Sequence, residues 1–306
     1  MVSYSRKESP LPDYDFASHW FRHDVARQHY LDEGSGPPVL MLHGNPSWSY
    51  YWRRLVLALR ADHRCIVPDH VGMGLSDRPL ERDYDYTLAS RVDDLDALTD
   101  ELVKNGGAPA TGWTLVLHDW GGPIGMAWAA RHPERVSRLV MLNTAAFPSP
   151  FARLPPTLRL PLWAIKNTWV AEHLFLRHNV FARGAALLGV TRGMPPEVRE
   201  AYLHPYRTRQ DRLAILRFVQ DIPLRPGDRA WPQLLEAECG AALLADRPAF
   251  IGWGGRDPVF RSAFLDEWRR RFPRAVFRLY PEAGHYVLED RAAELVREIR
   301  EFLSVS

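Results

Sequence analysis

The stretch LVLHDWGGP, residues 115–123, marks the sharpest change of pattern in this chain. A short apolar run ends at His118 and Asp119, and two glycines then precede an apolar segment of helical character, residues 124–131. This order predicts a strand, a sharp turn and a helix. Such a turn holds Asp119 beside the N-terminus of the helix, where unpaired backbone N–H groups stabilise negative charge. Asp119 is therefore a candidate nucleophile.

The turn resembles the small-x-nucleophile-x-small pattern of a strand–turn–helix nucleophile, with two departures. Leu117 occupies the first small position, and the nucleophile is a carboxylate instead of a serine hydroxyl. A carboxylate suits alkyl transfer or ring opening better than amide cleavage. The alternative interpretation is an aspartate that only caps the helix.

Other apolar runs predict a mostly parallel sheet with helices on both faces. These runs are uninterrupted, which is typical of strands buried between two layers of helices. One or two strands are expected between His19 and Glu33, and helices over residues 52–60, 87–104 and 291–303. The further predicted strands are residues 39–42, 65–68, 139–142, 249–254 and 276–280. The alternation of strands and helices predicts an α/β fold.

Residues 147–231 differ in composition from the rest of the chain. Prolines cluster near the start, and aromatic and leucine-rich helical segments follow without a clear strand. We predict a core in two parts, residues 1–146 and 232–306, with 147–231 inserted as a helical cap that covers Asp119 and excludes water. Some apolar cap residues are expected to line a pocket and the others to form the core of the cap: Trp163, Ile165, Trp169, Leu174, Phe175, Phe181, Leu187 and Leu188.

Composition argues against several classes of protein. The chain has 306 residues, of which 46% are hydrophobic and 25% charged, as is ordinary for a globular protein. Its 39 basic and 37 acidic residues give a net charge of +2, which argues against nucleic acid or an anionic membrane as the main partner. Two cysteines predict no disulfide framework. Without an export signal or an apolar run near the ~18 residues of a membrane span, a cytoplasmic protein is expected.

Three chemically active side chains follow predicted strands in the order nucleophile, acid, base. Asp257 lies in GGRDP, residues 254–258, and His285 lies in AGHY, residues 283–286. We expect His285 to act as a base. Asp257 should hold the other ring nitrogen of His285 and stabilise the imidazolium. No metal and no cofactor is expected at this site.

With these motifs the chain resembles the haloalkane dehalogenases, which are α/β-hydrolases with an aspartate nucleophile, over nearly its whole length. The matching pieces are HGNPSW (43–48), DHVGMGLS (69–76), HDWGG (118–122) and GH (284–285). The resemblance implies an ester between Asp119 and the substrate carbon, while Asn45 and Trp120 hold the departing halide. Asn143 stands where some members keep a glutamate, which favours Asp257 as the acid.

A narrower resemblance concerns the substrate. HGNPSWSYYWR (43–53), PDHVGMGLSD (68–77), NTAAFP (143–148) and QDIPL (220–224) are similar to the β-lactone decarboxylases of bacterial long-chain olefin biosynthesis. The implied reaction converts a cis-β-lactone with two long alkyl chains into a cis-alkene and carbon dioxide without a cofactor. The resemblance also implies an assembly with a β-lactone synthetase and a reductase. Attack by Asp119 on the carbonyl carbon or on the β-carbon of the lactone remains open.

Three other functions compete with this interpretation. A hydrolytic haloalkane dehalogenase would be favoured by a second halide donor from the cap, such as Trp163 or Trp169. An epoxide hydrolase needs paired cap tyrosines, for which Tyr202 and Tyr206 are candidates. A non-catalytic binding module with this fold usually lacks a member of the catalytic set, and none is missing here.

Overall fold

The computed structural model describes residues 11–148 and 156–304, with the side chains of 11–148 and 162–304. The described strands are β1 (Ser18–Arg22), β2 (Arg27–Glu33), β3 (Pro38–Leu42), β4 (Arg64–Pro68), β5 (Trp113–Asp119), β6 (Val136–Thr144), β7 (Ala249–Gly254) and β8 (Val276–Tyr280). They form one sheet in the order β1-β2-β4-β3-β5-β6-β7-β8. β2 is antiparallel to β1 and to β4, and all other neighbours are parallel.

The centre of the sheet is apolar because helices cover it. β3, β5 and β7 are buried along their whole length, as uninterrupted apolar strands of a parallel sheet should be. The predicted α/β architecture with a mostly parallel sheet is confirmed. The strands predicted over 249–254 and 276–280 have those bounds, whereas the one predicted over 139–142 extends in both directions.

Helices connect the parallel strands and pack in two groups. α2 (Leu88–Lys104), α3 (Gly121–Arg131) and α9 (Trp231–Leu243) pack together, and so do α1 (Arg53–Leu59) and α12 (Ala292–Ser304). Thr87 caps α2, since its Oγ1 accepts a hydrogen bond of 3.2 Å from the Ser90 backbone N–H. Two further described helices are α10 (Ser262–Arg271) and α11 (Val287–Asp290). No described helix is long and apolar enough to cross a membrane.

α3 begins three residues before the predicted start at Ile124. Gly121 and Gly122 are the first two residues of α3. The helix begins in close contact with β3 and β6, which leaves no room for a side chain at either position. A side chain at Gly121 would collide with the backbone carbonyl of Leu42 on β3, and one at Gly122 with Thr144 on β6. Close packing therefore requires glycine at both positions. Sequence rules treat glycine as a helix breaker, so they place the start of the helix after the two glycines.

Among the described residues between β6 and α9 there are five α-helices: α4 (Pro156–Asn167), α5 (Trp169–His178), α6 (Val180–Leu188), α7 (Pro196–Leu203) and α8 (Leu213–Gln220). Of these, α7 is tied to the core by buried hydrogen bonds. Trp48 Nε1 donates to the carbonyl of Ala201 (3.2 Å), and the Tyr202 hydroxyl donates to Glu289 (2.6 Å). Glu289 also pairs with the buried Arg53 through two hydrogen bonds.

Candidate active site

Asp119 is the last residue of β5 and lies in a strained backbone conformation. Its φ of +50° is in the left-handed region that non-glycine residues rarely adopt. Two hydrogen bonds hold it there. The Asn45 backbone N–H donates to Oδ1 (2.8 Å), and the Thr144 hydroxyl donates to the Asp119 carbonyl (2.5 Å). Such strain is typical of a functional residue that the surroundings fix, and here it turns the carboxylate toward a cavity.

Glycines make room for this turn. A side chain at Gly44 would collide with the Asp119 carboxylate, so the loop after β3 passes directly over that carboxylate. The large Leu117 at the expected small position is accommodated by Gly125 on α3. A Cβ at Gly125 would lie 2.5 Å from Leu117 Cδ2. The departure from the pattern at Leu117 is therefore compensated one helical turn after the start of α3.

The predicted base and acid lie beside Asp119. His285 Nδ1 is 2.8 Å from Asp257 Oδ2, and His285 Nε2 is 3.7 Å from Asp119 Oδ2. The second distance exceeds a hydrogen bond, so the ring faces the carboxylate without bonding to it. Asp257 is fixed in turn by Asn143 Nδ2 (2.8 Å) and by the backbone N–H groups of Val259 (2.7 Å) and Phe260 (3.0 Å).

Burial and charge shift the pKa values of this pair. Burial raises the pKa of Asp119, and the positive charge of His285 and the backbone N–H groups of Asn45 and Trp120 oppose that rise. Burial lowers the pKa of His285, but the carboxylates of Asp257 and Asp119 outweigh it, and the net result is a raised pKa. His285 is therefore protonated up to a higher pH than an ordinary histidine.

Asn45 and Trp120 are the residues predicted to stabilise a developing negative charge. Both line the cavity beside Asp119. Asn45 Nδ2 donates to the Ile215 carbonyl (3.1 Å), and since this amide carries two hydrogens, one remains for a bound group. Asn45 Oδ1 is buried without a partner among the described residues. The Trp120 ring packs against Phe218, with a centroid distance of 5.2 Å.

The cavity has a volume of about 470 Å³ and is lined mostly by apolar side chains, which suits a hydrophobic small molecule. Ile165, Phe175, Phe181 and Leu188 line it, as expected for part of the cap residues. The prediction is wrong for the other four, which are exposed and form neither the pocket nor the core of the cap. They are Trp163, Trp169, Leu174 and Leu187. Each lies on a helix whose cavity-lining positions belong to other residues, such as Ile165 on α4, Phe175 on α5 and Phe181 on α6.

The residues required by two competing functions lie elsewhere. Trp163 and Trp169 are 53% and 78% exposed and are absent from the cavity lining, so neither is placed to bind a halide. Tyr202 and Tyr206 are buried but also outside the lining. Tyr202 donates to Glu289, and Tyr206 donates to the Ser47 carbonyl. Among the described residues, no group of histidine, cysteine, aspartate and glutamate could hold a metal ion.

Two residues that support His285 were not predicted. His118 Nε2 donates to the His285 backbone carbonyl (3.0 Å), and the two rings are 4.6 Å apart. Phe260 stacks on His285 with an interplanar angle of 17°. His118 directly precedes Asp119 and belongs to the motif HDWGG, whereas Phe260 follows Asp257 by three residues and no sequence signal pointed to it.

Comparisons with known proteins agree with this geometry. The family model described as alpha/beta hydrolase fold matches residues 37–292. A protein of Xanthomonas campestris named cis-3-alkyl-4-alkyloxetan-2-one decarboxylase is 50% identical over 284 residues, covering 90% of this chain and 91% of that protein. A protein of Shewanella oneidensis with the same name is 46% identical over 293 residues, covering 94% and 89%. The crystal structure of a haloalkane dehalogenase of Bradyrhizobium elkani superposes with a TM-score of 0.81 at 26% identity, covering 95% of this chain and all of that one.

Proposed function

We infer that this chain, which belongs to the α/β-hydrolase family and within it to the group of the cis-3-alkyl-4-alkyloxetan-2-one decarboxylases, is an enzyme that decarboxylates a cis-β-lactone. An oxetan-2-one is a β-lactone, so the narrower resemblance of the sequence is confirmed by these relatives. The observation that carries the proposal is a carboxylate nucleophile, Asp119, at the polar end of an apolar cavity. Two alkyl chains on a strained ring match such a cavity, and we propose that both chains are long.

We propose that Asp119 opens the lactone at its β-carbon. An Asp119 oxygen bonds to that carbon as the ring C–O bond breaks, and the ring oxygen becomes part of a free carboxylate. Asn45 and Trp120 stabilise the charge that develops on this oxygen. The bond from the α-carbon to the carboxylate then breaks, its electron pair forms the alkene, and Asp119 leaves the β-carbon as a carboxylate. No water and no proton is consumed.

This route accounts for the geometry of the product. Attack from the side opposite the breaking C–O bond inverts the β-carbon, and anti loss of carbon dioxide and Asp119 then leaves the alkyl chains cis. The role we propose for His285 is to orient Asp119 and to place an imidazolium near the carboxylates, with Asp257 fixing its ring. Attack on the carbonyl carbon is the other route, and it would give a mixed anhydride with Asp119.

We propose that residues 147–231 form the cap over this site, inserted between core parts 1–146 and 232–306. Support comes from the cavity lining, to which α4, α5, α6 and α8 all contribute. α9 begins at Trp231 and packs on α3, as part of the core would. The cap removes the lactone from water, which favours decarboxylation over hydrolysis.

We also propose, from the resemblance of the sequence, that the enzyme works in the cytoplasm in an assembly with a β-lactone synthetase and a reductase. Size-exclusion chromatography of the three co-expressed proteins tests this. Co-elution ahead of each separate protein is expected, and elution of this chain at its own size in every mixture would contradict the assembly.

A haloalkane dehalogenase is the second candidate, because Asn45 and Trp120 flank Asp119 as the sequence resemblance requires. The exposed positions of Trp163 and Trp169 count against it. Incubation with a synthetic cis-β-lactone and, separately, with a bromoalkane distinguishes the two when alkene and bromide are both measured. We expect alkene from the lactone, and catalytic bromide release without any alkene would overturn the proposal.

A further inference from the structure

One face of helix α6 forms a wall of the cavity. Its lining residues follow helical spacing, and they are Val180, Phe181, Gly184, Ala185 and Leu188. Ala182 and Ala186 lie on the opposite side and are buried, while Arg183 and Leu187 are exposed. Since successive residues of a helix are about 100° apart, Gly184 lies near the middle of the lining face.

Gly184 leaves space in this wall without a local structural reason. A glycine in a helix interior costs roughly 0.5–1 kcal/mol relative to alanine. At most glycines of the core a Cβ would meet a nearby atom, whereas a Cβ at Gly184 would meet none within 4 Å. Packing therefore does not exclude a side chain at this position. The space beside Gly184 belongs to the cavity.

The same wall runs from the catalytic loop to the surface. At its C-terminal end, Gly189 accepts a 2.7 Å hydrogen bond from the backbone N–H of Tyr286, next to His285. At its N-terminal end, Val180 lines the cavity and is 45% exposed. With a rise of 1.5 Å per residue, Gly184 lies about 7.5 Å along the helix from Gly189. An alkyl chain that extends from Asp119 along α6 toward Val180 passes Gly184.

We propose that Gly184 determines the length of the alkyl chain that the enzyme accepts. The absent side chain keeps the passage along α6 open for the distal carbons of a long chain, while a short chain ends before it reaches this position. This inference rests on the proposed function, because the chain in question is an alkyl substituent of the β-lactone. A side chain at position 184 should reject long substrates selectively instead of lowering all rates.

The test compares kcat/KM for a cis-β-lactone with two propyl chains and one with two undecyl chains. For Gly184→Leu we expect the ratio of long-chain to short-chain kcat/KM to fall by about tenfold or more, since overfilling an apolar pocket is costly. Gly184→Met should lower the ratio less, and Gly184→Ala least. Leu187→Phe, which adds bulk on the exposed face of α6, is the matched control and should keep the parent's ratio.

Short-chain turnover serves as the internal check that each variant is folded. If Gly184→Leu does not fold, the ratios of the alanine and methionine variants decide. A parent-like ratio in the largest folded variant overturns the proposed role of Gly184. A parent enzyme that forms no alkene from either lactone overturns the proposed function instead, so the two failures are distinguishable.

Discussion

At the scale of single residues, the site depends on a carboxylate that is buried, strained and surrounded by donors. Asp119 lies in the left-handed region, is 8% exposed and accepts a hydrogen bond from Asn45. Burial makes its negative charge less stable than in water, and this raises its pKa. A carboxylate that has lost its hydration shell is a better nucleophile toward carbon than one in water, as ring opening requires.

Replacement of Asp119 by alanine should abolish alkene formation and leave the free energy of unfolding nearly unchanged. The lost hydrogen bond to Asn45 is offset by removal of a buried charge. Alkene release measured by gas chromatography and unfolding in urea check the two parts. Turnover within about tenfold of the parent is incompatible with a covalent role for Asp119.

For His285→Ala we expect much lower activity but still some alkene, because the decarboxylation route uses no water. Hydrolysis of an aspartyl ester, in contrast, needs the histidine to activate water. The same variant should accumulate a stable ester with a bromoalkane. Intact-protein mass spectrometry compares the two reactions. A stoichiometric lactone adduct without alkene would show that His285-driven hydrolysis belongs to the productive cycle.

The pH dependence of alkene formation should distinguish the role of Asp119 from that of His285. Alkene formation requires ionised Asp119, whose pKa is raised, so activity should fall as the pH drops through that value. The pKa of His285 is also raised above 6.5, and the water-free route does not require neutral His285. We therefore expect kcat to persist below the pKa of His285, measured by NMR titration of its imidazole. A loss of kcat that coincides with that pKa would mean that neutral His285 is required.

At the scale of secondary-structure elements, β5 and α3 form the turn that presents Asp119. Most strands were predictable from uninterrupted apolar runs, because burial on both faces of a parallel sheet imposes that pattern. The start of α3 was not predictable, since Gly121 is set by contact with Leu42, a residue distant in sequence. The order Asp119, Asp257, His285 was predictable from motifs at strand ends. The hydrogen bond from Asn143 to Asp257 was not predictable, because it depends on the relative positions of β6 and the loop after β7.

The contact between Leu117 and α3 gives a prediction for stability. Gly125→Ala should lower the free energy of unfolding by about 1–3 kcal/mol, because its Cβ would overlap Leu117. Leu117→Ala should rescue part of this loss in the double variant. Gly184→Ala is the matched control on another helix, where a Cβ meets open space and stability should rise. Urea unfolding of the four variants and the parent is the measurement, and additive losses would contradict a direct contact.

At the scale of the whole molecule, α7 is one of the helices of the proposed cap that form hydrogen bonds with the proposed core. The Tyr202 hydroxyl reaches Glu289, which also pairs with Arg53, so three parts of the chain meet in one buried cluster. Four residues expected to line the pocket or to form the core of the cap are exposed and lie outside the cavity lining, because sequence periodicity shows that a helix has an apolar face but does not show which neighbour covers it. The cavity could be anticipated from composition, but its lining could be anticipated only in part, at Ile165, Phe175, Phe181 and Leu188.

Tyr202→Phe removes one hydrogen bond from this cluster and retains the ring. The free energy of unfolding should fall by roughly 1.5–3 kcal/mol, the usual range for a hydrogen bond to a charged group. Tyr30→Phe, at a half-buried tyrosine of β2, is a suitable control. Thermal unfolding of both variants provides the comparison, and equal melting temperatures would show that the bond to Glu289 contributes nothing measurable.

The pairing of Arg53 with Glu289 joins residues 236 positions apart in the chain. Contacts of such long sequence separation form late and slow the folding of a domain, because a large loop must close first. During synthesis on the ribosome, Asp119 emerges well before His285, and β6 has no outer neighbour until β7 follows. A nascent chain that ends between β6 and β7 therefore carries an open sheet edge, which promotes aggregation. We expect this chain to depend on chaperones until its last strands are synthesised.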